Sequence, residues 1–300
     1  MSNLVCFGLG YSAEHFVGLY GDGFARIVAT VRGAERAAWL NARLAGRLKA
    51  LLFDGHSASP ELIHAVGEAD AALISIPQDE TGDPVLRACG QAFERAQRLR
   101  SVVYLSTVGV YGDRSGDWVD ETSPPLPTSE RSRKRLAAEQ VWQDFGKRRG
   151  IPVAILRLAG IYGPGRNALT QIARGDARRI VKPGQVFNRI HVDDIAQAID
   201  AALARKASGI FNVADDEPSP PGDPLVFAAQ LLGVPPPPEI AYEDAAPEMS
   251  PLAKSFWQEC RRVNNDKLKR ELGVTLRYPT YREGLRALFE ERENASLRGA

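Results

Sequence analysis

The sequence predicts an α/β fold, a doubly wound parallel sheet followed by a smaller C-terminal lobe. Six short apolar, β-rich runs carry that prediction: NLVCFG from Asn3, RIVATV from Arg26, KALLF from Lys49, AALISI from Ala71, SVVYLS from Ser101 and PVAILRL from Pro152. Longer helix-like stretches separate them, which is the rhythm of βαβ units. The runs are continuously apolar rather than alternating, as strands covered by helices on both faces require.

Beyond about residue 163 the rhythm loosens, and PSPPGDP (Pro218 to Pro224) and PPPP (Pro235 to Pro238) read as loops. Helix-like stretches return at Asp193 to Ala204, Pro224 to Leu232 and Tyr281 to Arg292. The expected division is therefore a first domain over 1–163, which also receives segments near 186–213, and a smaller, discontinuous lobe over 164–300.

The composition narrows the functional classes. Thirty-eight basic residues against thirty-seven acidic ones leave a net charge of +1, so no global field draws the chain to nucleic acid or to an anionic membrane. Cys6, Cys89 and Cys260 are scattered and lack metal-ligand spacing, so neither a disulfide scaffold nor a metal site is expected, and a reducing compartment is. The N-terminus has no basic region and glycines break its apolar run, so it reads as neither signal peptide nor membrane span. Together these point to a cytoplasmic protein.

Directly after the first run, CFGLGYSAEHF sets Gly8, Gly10 and Ala13 in the order G-x-G-x-x-A, before an apparent helix. This is the context of a dinucleotide fingerprint, and it makes the predicted fold Rossmann-like. Gly8 serves the tight turn, Gly10 the close approach of a pyrophosphate, and Ala13 the packing of helix on strand. The Tyr11 and Ser12 amides, with the Ser12 hydroxyl, are donors at the helix N-terminus. At the end of the second run TVRG offers Arg32 where an NAD site calls for a carboxylate. A guanidinium suits a ribose 2′-phosphate, so NADP is expected over NAD. Asp54, after the third run, is placed for the adenine end, although an Asp starting a loop also serves turns.

Five further segments, in order along nearly the whole chain, resemble the extended short-chain dehydrogenase/reductases of the NAD-dependent epimerase/dehydratase type. They are LSTVGVYGD (Leu105 to Asp113), DETSPPLP (Asp120 to Pro127), RLAGIYGPGRN (Arg157 to Asn167), NRIHVDDIA (Asn188 to Ala196) and IFNVADDEP (Ile210 to Pro218). The resemblance implies a C-terminal lobe that covers a small-molecule substrate. It also implies Ser/Thr, Tyr and Lys at the nicotinamide, where the Tyr trades the proton, the Lys lowers its pKa and holds the ribose, and the Ser/Thr orients the substrate oxygen. A homodimer packed through the helices flanking the Tyr position is a further implication.

Matched residue by residue, the Ser/Thr is Thr107, four residues before Tyr111. Tyr and Lys belong four apart on one helix face, and anchoring on RLAAEQ places Arg131 at the Tyr and Arg135 at the Lys. A register shifted by one gives Glu130 and Lys134, again without a phenol. Guanidinium stays protonated, so Arg131 cannot shuttle the proton, and Tyr111 or a bound water would have to replace the acid. Arg135 could still hold the ribose, while Arg133 and Lys134 are expected to point to solvent.

The nucleotide-sugar epimerases of this resemblance carry an Arg four residues before the His of the IHV stretch, where Phe187 stands here. Arg189 is a possible substitute. His191 is a candidate base but reads better as a packed side chain, with Asp193 or Asp194 capping the next helix. Arg166 and Asn167 fall near the carboxyl ends of the strands, where ligands of such sheets bind. The expectation is an atypical NADP-dependent reductase or epimerase of a small polar or sugar-like substrate. A non-catalytic, dinucleotide-dependent regulatory or binding protein is the alternative.

Overall fold

The computed structural model describes residues 2–44 and 46–298. The six apolar runs become β1 (Ser2–Phe7), β2 (Phe24–Val31), β3 (Leu48–Leu52), β4 (Ala71–Ile74), β5 (Ser101–Thr107) and, after the two-residue β6 (Trp118–Val119), β7 (Val153–Leu158). Later come β8 (Gly160–Tyr162), β9 (Arg179–Val181), β10 (Arg189–His191) and β11 (Gly209–Val213). A seven-stranded sheet runs β11-β7-β5-β4-β1-β2-β3, and every pair in it is parallel.

Alternate residues of the sheet strands feed two separate cores. In β1, Leu4 and Cys6 face one cluster while Val5 and Phe7 face the other, and all four are buried. The helices α1 (Tyr11–Tyr20), α2 (Ala34–Arg43) and α7 (Val192–Ala204) cover the first face through Phe16, Leu40 and Ile195. The second face lies under α3 (Pro60–Gly67), α4 (Pro84–Arg95) and α5 (Glu130–Arg149), which contribute Leu62, Phe93 and Trp142. Double burial explains why the strands read as uninterrupted apolar runs.

The segments after residue 163 divide their allegiance. β11 completes the main sheet, whereas β10 pairs with β8 as a separate ribbon. A third cluster joins Tyr162 to Leu169 of α6 (Ala168–Arg174), Leu225 of α8 (Asp223–Leu232) and Leu285 of the last helix, Tyr281–Arg298. No described helix is long and apolar enough to cross a membrane, and among the described residues no cluster could hold a metal ion.

Candidate active site

At the end of β1 the chain turns through Gly8 at φ +90°, a backbone conformation that L side chains rarely adopt. A Cβ there would stand 2.3 Å from Cγ2 of Ile76, and the Gly8 amide donates to Oγ1 of Thr30 at 2.9 Å. Gly10 is different: it caps α1 with φ −93°, and a Cβ on it would meet nothing within 4 Å. Open space therefore lies in front of α1. The first-turn amides of Tyr11, Ser12 and Ala13 have no acceptor within the helix, and the helix dipole adds to their pull on an anion. Ser12 and Ala13 are buried, the latter at 0% exposure as close helix-strand packing demands. The Tyr11 hydroxyl donates to the Pro164 carbonyl at 3.0 Å, and the exposed Arg166 lies over the Tyr11 ring. Loop 163–166 thereby closes one side of the glycine turn.

Arg32 stands exposed just past β2, without a hydrogen bond or ion pair among the described residues. Asp54 is exposed too, but its Oδ1 accepts from the amides of His56 (2.8 Å) and Ser57 (3.4 Å). Those amide bonds hold its carboxyl below the usual range. Oδ1 thus serves the local turn that an Asp starting a loop provides.

At the carboxyl end of the sheet, Oγ1 of Thr107 accepts from the Gly109 amide at 3.1 Å. A Cβ on Gly109 would lie 3.4 Å from that oxygen and 3.3 Å from Oγ of Ser132, so the two hydroxyls flank one glycine. The adjoining helix α5 starts at a Ser129 cap, whose Oγ accepts from the Ser132 amide. Arg135 reaches inward: one Nη donates to the Leu105 carbonyl and the Tyr104 hydroxyl, each at 3.1 Å. Arg131, one turn earlier on the same face, receives Nε2 of Gln78 on its backbone carbonyl at 3.2 Å. Lys134 does not point freely to solvent, because it pairs with Glu80 at 2.5 Å and with Glu130 at 2.8 Å. Arg135, not Lys134, faces the strands. Helix α5 contains no tyrosine.

Four predicted site residues serve the scaffold instead. Tyr111 is fully buried, its hydroxyl donates to Oδ1 of Asn212 at 2.8 Å, and Arg157 covers its ring, so it cannot replace a proton donor in the cleft. Asn167 caps α6, with Oδ1 accepting from Thr170 and Nδ2 donating to the Gly163 carbonyl. Arg189 donates to Oγ of Ser219 at 2.7 Å and to the Phe187 carbonyl at 3.1 Å, which turns it away from the role of a diphosphate ligand. His191 is 2% exposed and packs against Tyr162 and Tyr278. Its Nδ1 accepts from the Asp193 amide, so His191 itself is the cap of α7, in place of the expected Asp193 or Asp194. Asp193 instead holds His15 at 2.7 Å, and Asp194 accepts from the amides of Arg277 and Tyr278.

A cavity of about 580 Å³ lies on the opposite flank of α5, lined by Glu121, Pro125, Gln140, Arg157 and Ile210 among others.

Gln78 and Thr30 escaped the sequence reading. Gln78 follows β4, and the rule that ligands bind outside strand carboxyl ends would have found it. Its Oε1 is buried without a partner, as is Nε of Arg135. An acceptor and a donor thus stand unsatisfied near the carboxyl end of the sheet. Together with the free space over Gly10, they fit a dinucleotide laid from the α1 N-terminus toward Thr107.

A sheet wound in this order, with a glycine turn between its first strand and first helix, is that of an extended short-chain dehydrogenase/reductase. The chain belongs to the NAD dependent epimerase/dehydratase family, which matches residues 59–214. A functionally unknown conserved protein of solved structure from Silicibacter pomeroyi is 44% identical, covers 98% of this chain and 100% of its own, and superposes with a TM-score of 0.85. Protein YeeZ of Escherichia coli is 31% identical over 193 residues, 59% of this chain and 67% of its own. The dTDP-glucose 4,6-dehydratase of Bacillus anthracis, solved with NAD, shares the fold at TM-score 0.75 with 17% identity, over 98% of this chain and 97% of its own.

Proposed function

We propose that the chain is an NADP-dependent oxidoreductase, a reductase or epimerase of a small polar or sugar-like substrate. One observation carries the reading: the uncapped first turn of α1 opens onto unfilled space over Gly10. Tyr11, Ser12 and Ala13 would hold the pyrophosphate through their amides. Arg32, unpaired and next to no carboxylate on its own strand end, favours a 2′-phosphate over a bare hydroxyl. Gln78 and Arg135 would hold the nicotinamide ribose.

Bound nicotinamide supplies or accepts hydride; the chain's own residues must position the substrate and handle charge. Thr107 is the hydroxyl that orients the substrate oxygen. With Tyr111 enclosed and α5 lacking a phenol, the proton comes from water, and guanidinium groups stabilise the developing oxyanion. The same lack of a phenol motivates a second reading, a dinucleotide-dependent regulatory protein without turnover.

Fluorescence titration of the purified protein with NADPH and NADH tests the binding half; no binding of either overturns the proposal. NADPH oxidation across a panel of carbonyl compounds tests the other half. Turnover that disappears in Thr107→Val rejects the regulatory reading, and saturable NADPH binding with no turnover on any compound favours it.

A further inference from the structure

The first two turns of α5 carry four basic side chains, and all but one are engaged. Arg133 donates to the Thr128 carbonyl, Lys134 holds Glu80 and Glu130, and Arg135 holds Tyr104 and Leu105. The Arg131 guanidinium has no hydrogen bond, ion pair or ring contact among the described residues. It is exposed at the surface, and partial desolvation, then the neighbouring charge of Arg135, weaken its hold on the proton. No acidic side chain opposes that effect. Two cations are held side by side here with only neutral acceptors on the inner one.

Position gives the charge a purpose. In the crossover from β5 to β7, α5 runs back along the sheet, so its N-terminal turn lies at the strands' carboxyl ends. Contacts connect Arg131 to the dinucleotide turn: its carbonyl accepts from Gln78, and Gln78 lies two residues beyond Ile76, which abuts Gly8. Arg131 thus shares the sheet edge with Thr107 and the two orphaned atoms of Gln78 and Arg135. A guanidinium that no protein acceptor engages is left to offer its paired donors to a two-oxygen anion.

We infer that Arg131 binds an oxyanion of the substrate, a carboxylate or a phosphate, beside the nicotinamide. This deepens the oxidoreductase reading and rests on it. Arg131 is then a specificity residue, selecting anionic over neutral substrates of the same shape, and Arg135 adds to the local positive potential.

The test is calorimetric, on protein saturated with NADP, so that dinucleotide phosphates already fill the glycine turn. Malonate and inorganic phosphate are the probes, with malonamide as the neutral match to malonate. At least one anion should bind while malonamide does not, and the preferred anion identifies the group. Arg131→Gln should weaken that anion at least tenfold while changing NADP affinity less than threefold, and Arg133→Gln should leave both unchanged. Equal binding of malonate and malonamide, no anion binding by the NADP-loaded protein, or equal losses in the two Gln variants overturns the inference. Failure of NADP itself to bind identifies failure of the underlying reading. The same titrations on the dinucleotide-free protein then judge Arg131 alone, by whether Arg131→Gln abolishes malonate binding.

Discussion

Arg157 of β7 and Glu139 of α5 form an ion pair sealed inside the protein: Nη2 lies 2.7 Å from Oε2, and each side chain is 2% exposed. Nε of Arg157 also donates to both carboxylate oxygens, and the Ser106 hydroxyl donates to Oε1 of Glu139. The pair joins the helix that carries Arg131 to the strand beside Thr107. It also explains a polar Arg in an otherwise apolar strand, since alternation turns position 157 toward α5 rather than toward the opposite core.

Removing one member leaves the other charged and buried. Glu139→Leu should therefore cost about 3–5 kcal/mol, as single breaks of buried pairs do. The double change Glu139→Leu with Arg157→Met should recover most of that loss, because the orphaned charge disappears with its partner. Urea unfolding of the three proteins reads both quantities. A single variant within about 1 kcal/mol of the parent would show that the pair bears little of the stability.

Gly8 and Gly10 should respond in opposite ways to the same added methyl. Gly8→Ala places a Cβ against Ile76 at positive φ, so it should destabilise by about 1–3 kcal/mol. Gly10→Ala adds its Cβ in open space at an ordinary φ, so the melting temperature should hold while NADPH affinity falls at least tenfold. Paired thermal and fluorescence titrations check this. Undiminished NADPH binding by Gly10→Ala would move the pyrophosphate elsewhere.

The proposed preference for NADP over NAD depends on Arg32. A charge-assisted hydrogen bond contributes about 1.5–3 kcal/mol, so Arg32→Ala should weaken NADPH roughly ten- to hundredfold and leave NADH nearly unchanged. An unaltered NADPH to NADH affinity ratio in the variant would remove Arg32 from the site.

The sheet was legible because double burial writes each strand as a continuous apolar run, and the first turn because Gly8 meets a backbone demand, positive φ, that few other residues satisfy. The glycine pattern could not reveal that only Gly8 is needed for the turn itself. Tyr111 and Asn167 misled for a shared reason: a phenol or an amide in a loop reads the same whether it faces a cleft or satisfies a buried partner, and Asn212 and Thr170 are distant from or incidental to the motif that singled them out. Beyond its place after a strand end, no motif marks Gln78, and none marks Ser132. Their role comes from α5 lying against the loop after β4 and against Gly109, a packing relationship between segments far apart in sequence.

Two titrations at the start of α7 should pull stability in opposite directions with pH. Burial raises the Asp194 carboxyl to about 6, with the amides of Arg277 and Tyr278 opposing the shift. A carboxyl whose folded pKa is raised adds stability below its unfolded value near 3.8, and that contribution is lost as pH climbs to about 6. Burial lowers the His191 imidazole from 6.5 to about 4, with the nearby Asp193 carboxylate opposing. A base with a depressed folded pKa adds stability above 6.5, and that is lost as pH falls toward 4. Across the same window the two slopes have opposite sign and offset one another in the parent. His191→Asn, which keeps an acceptor for the Asp193 amide, should leave the Asp194 slope alone, with stability falling from pH 4 to pH 6. Asp194→Asn should expose the reverse, stability rising over that interval. Urea midpoints measured in half-unit steps of pH separate the cases, and parallel curves for all three proteins would show that neither group governs the profile.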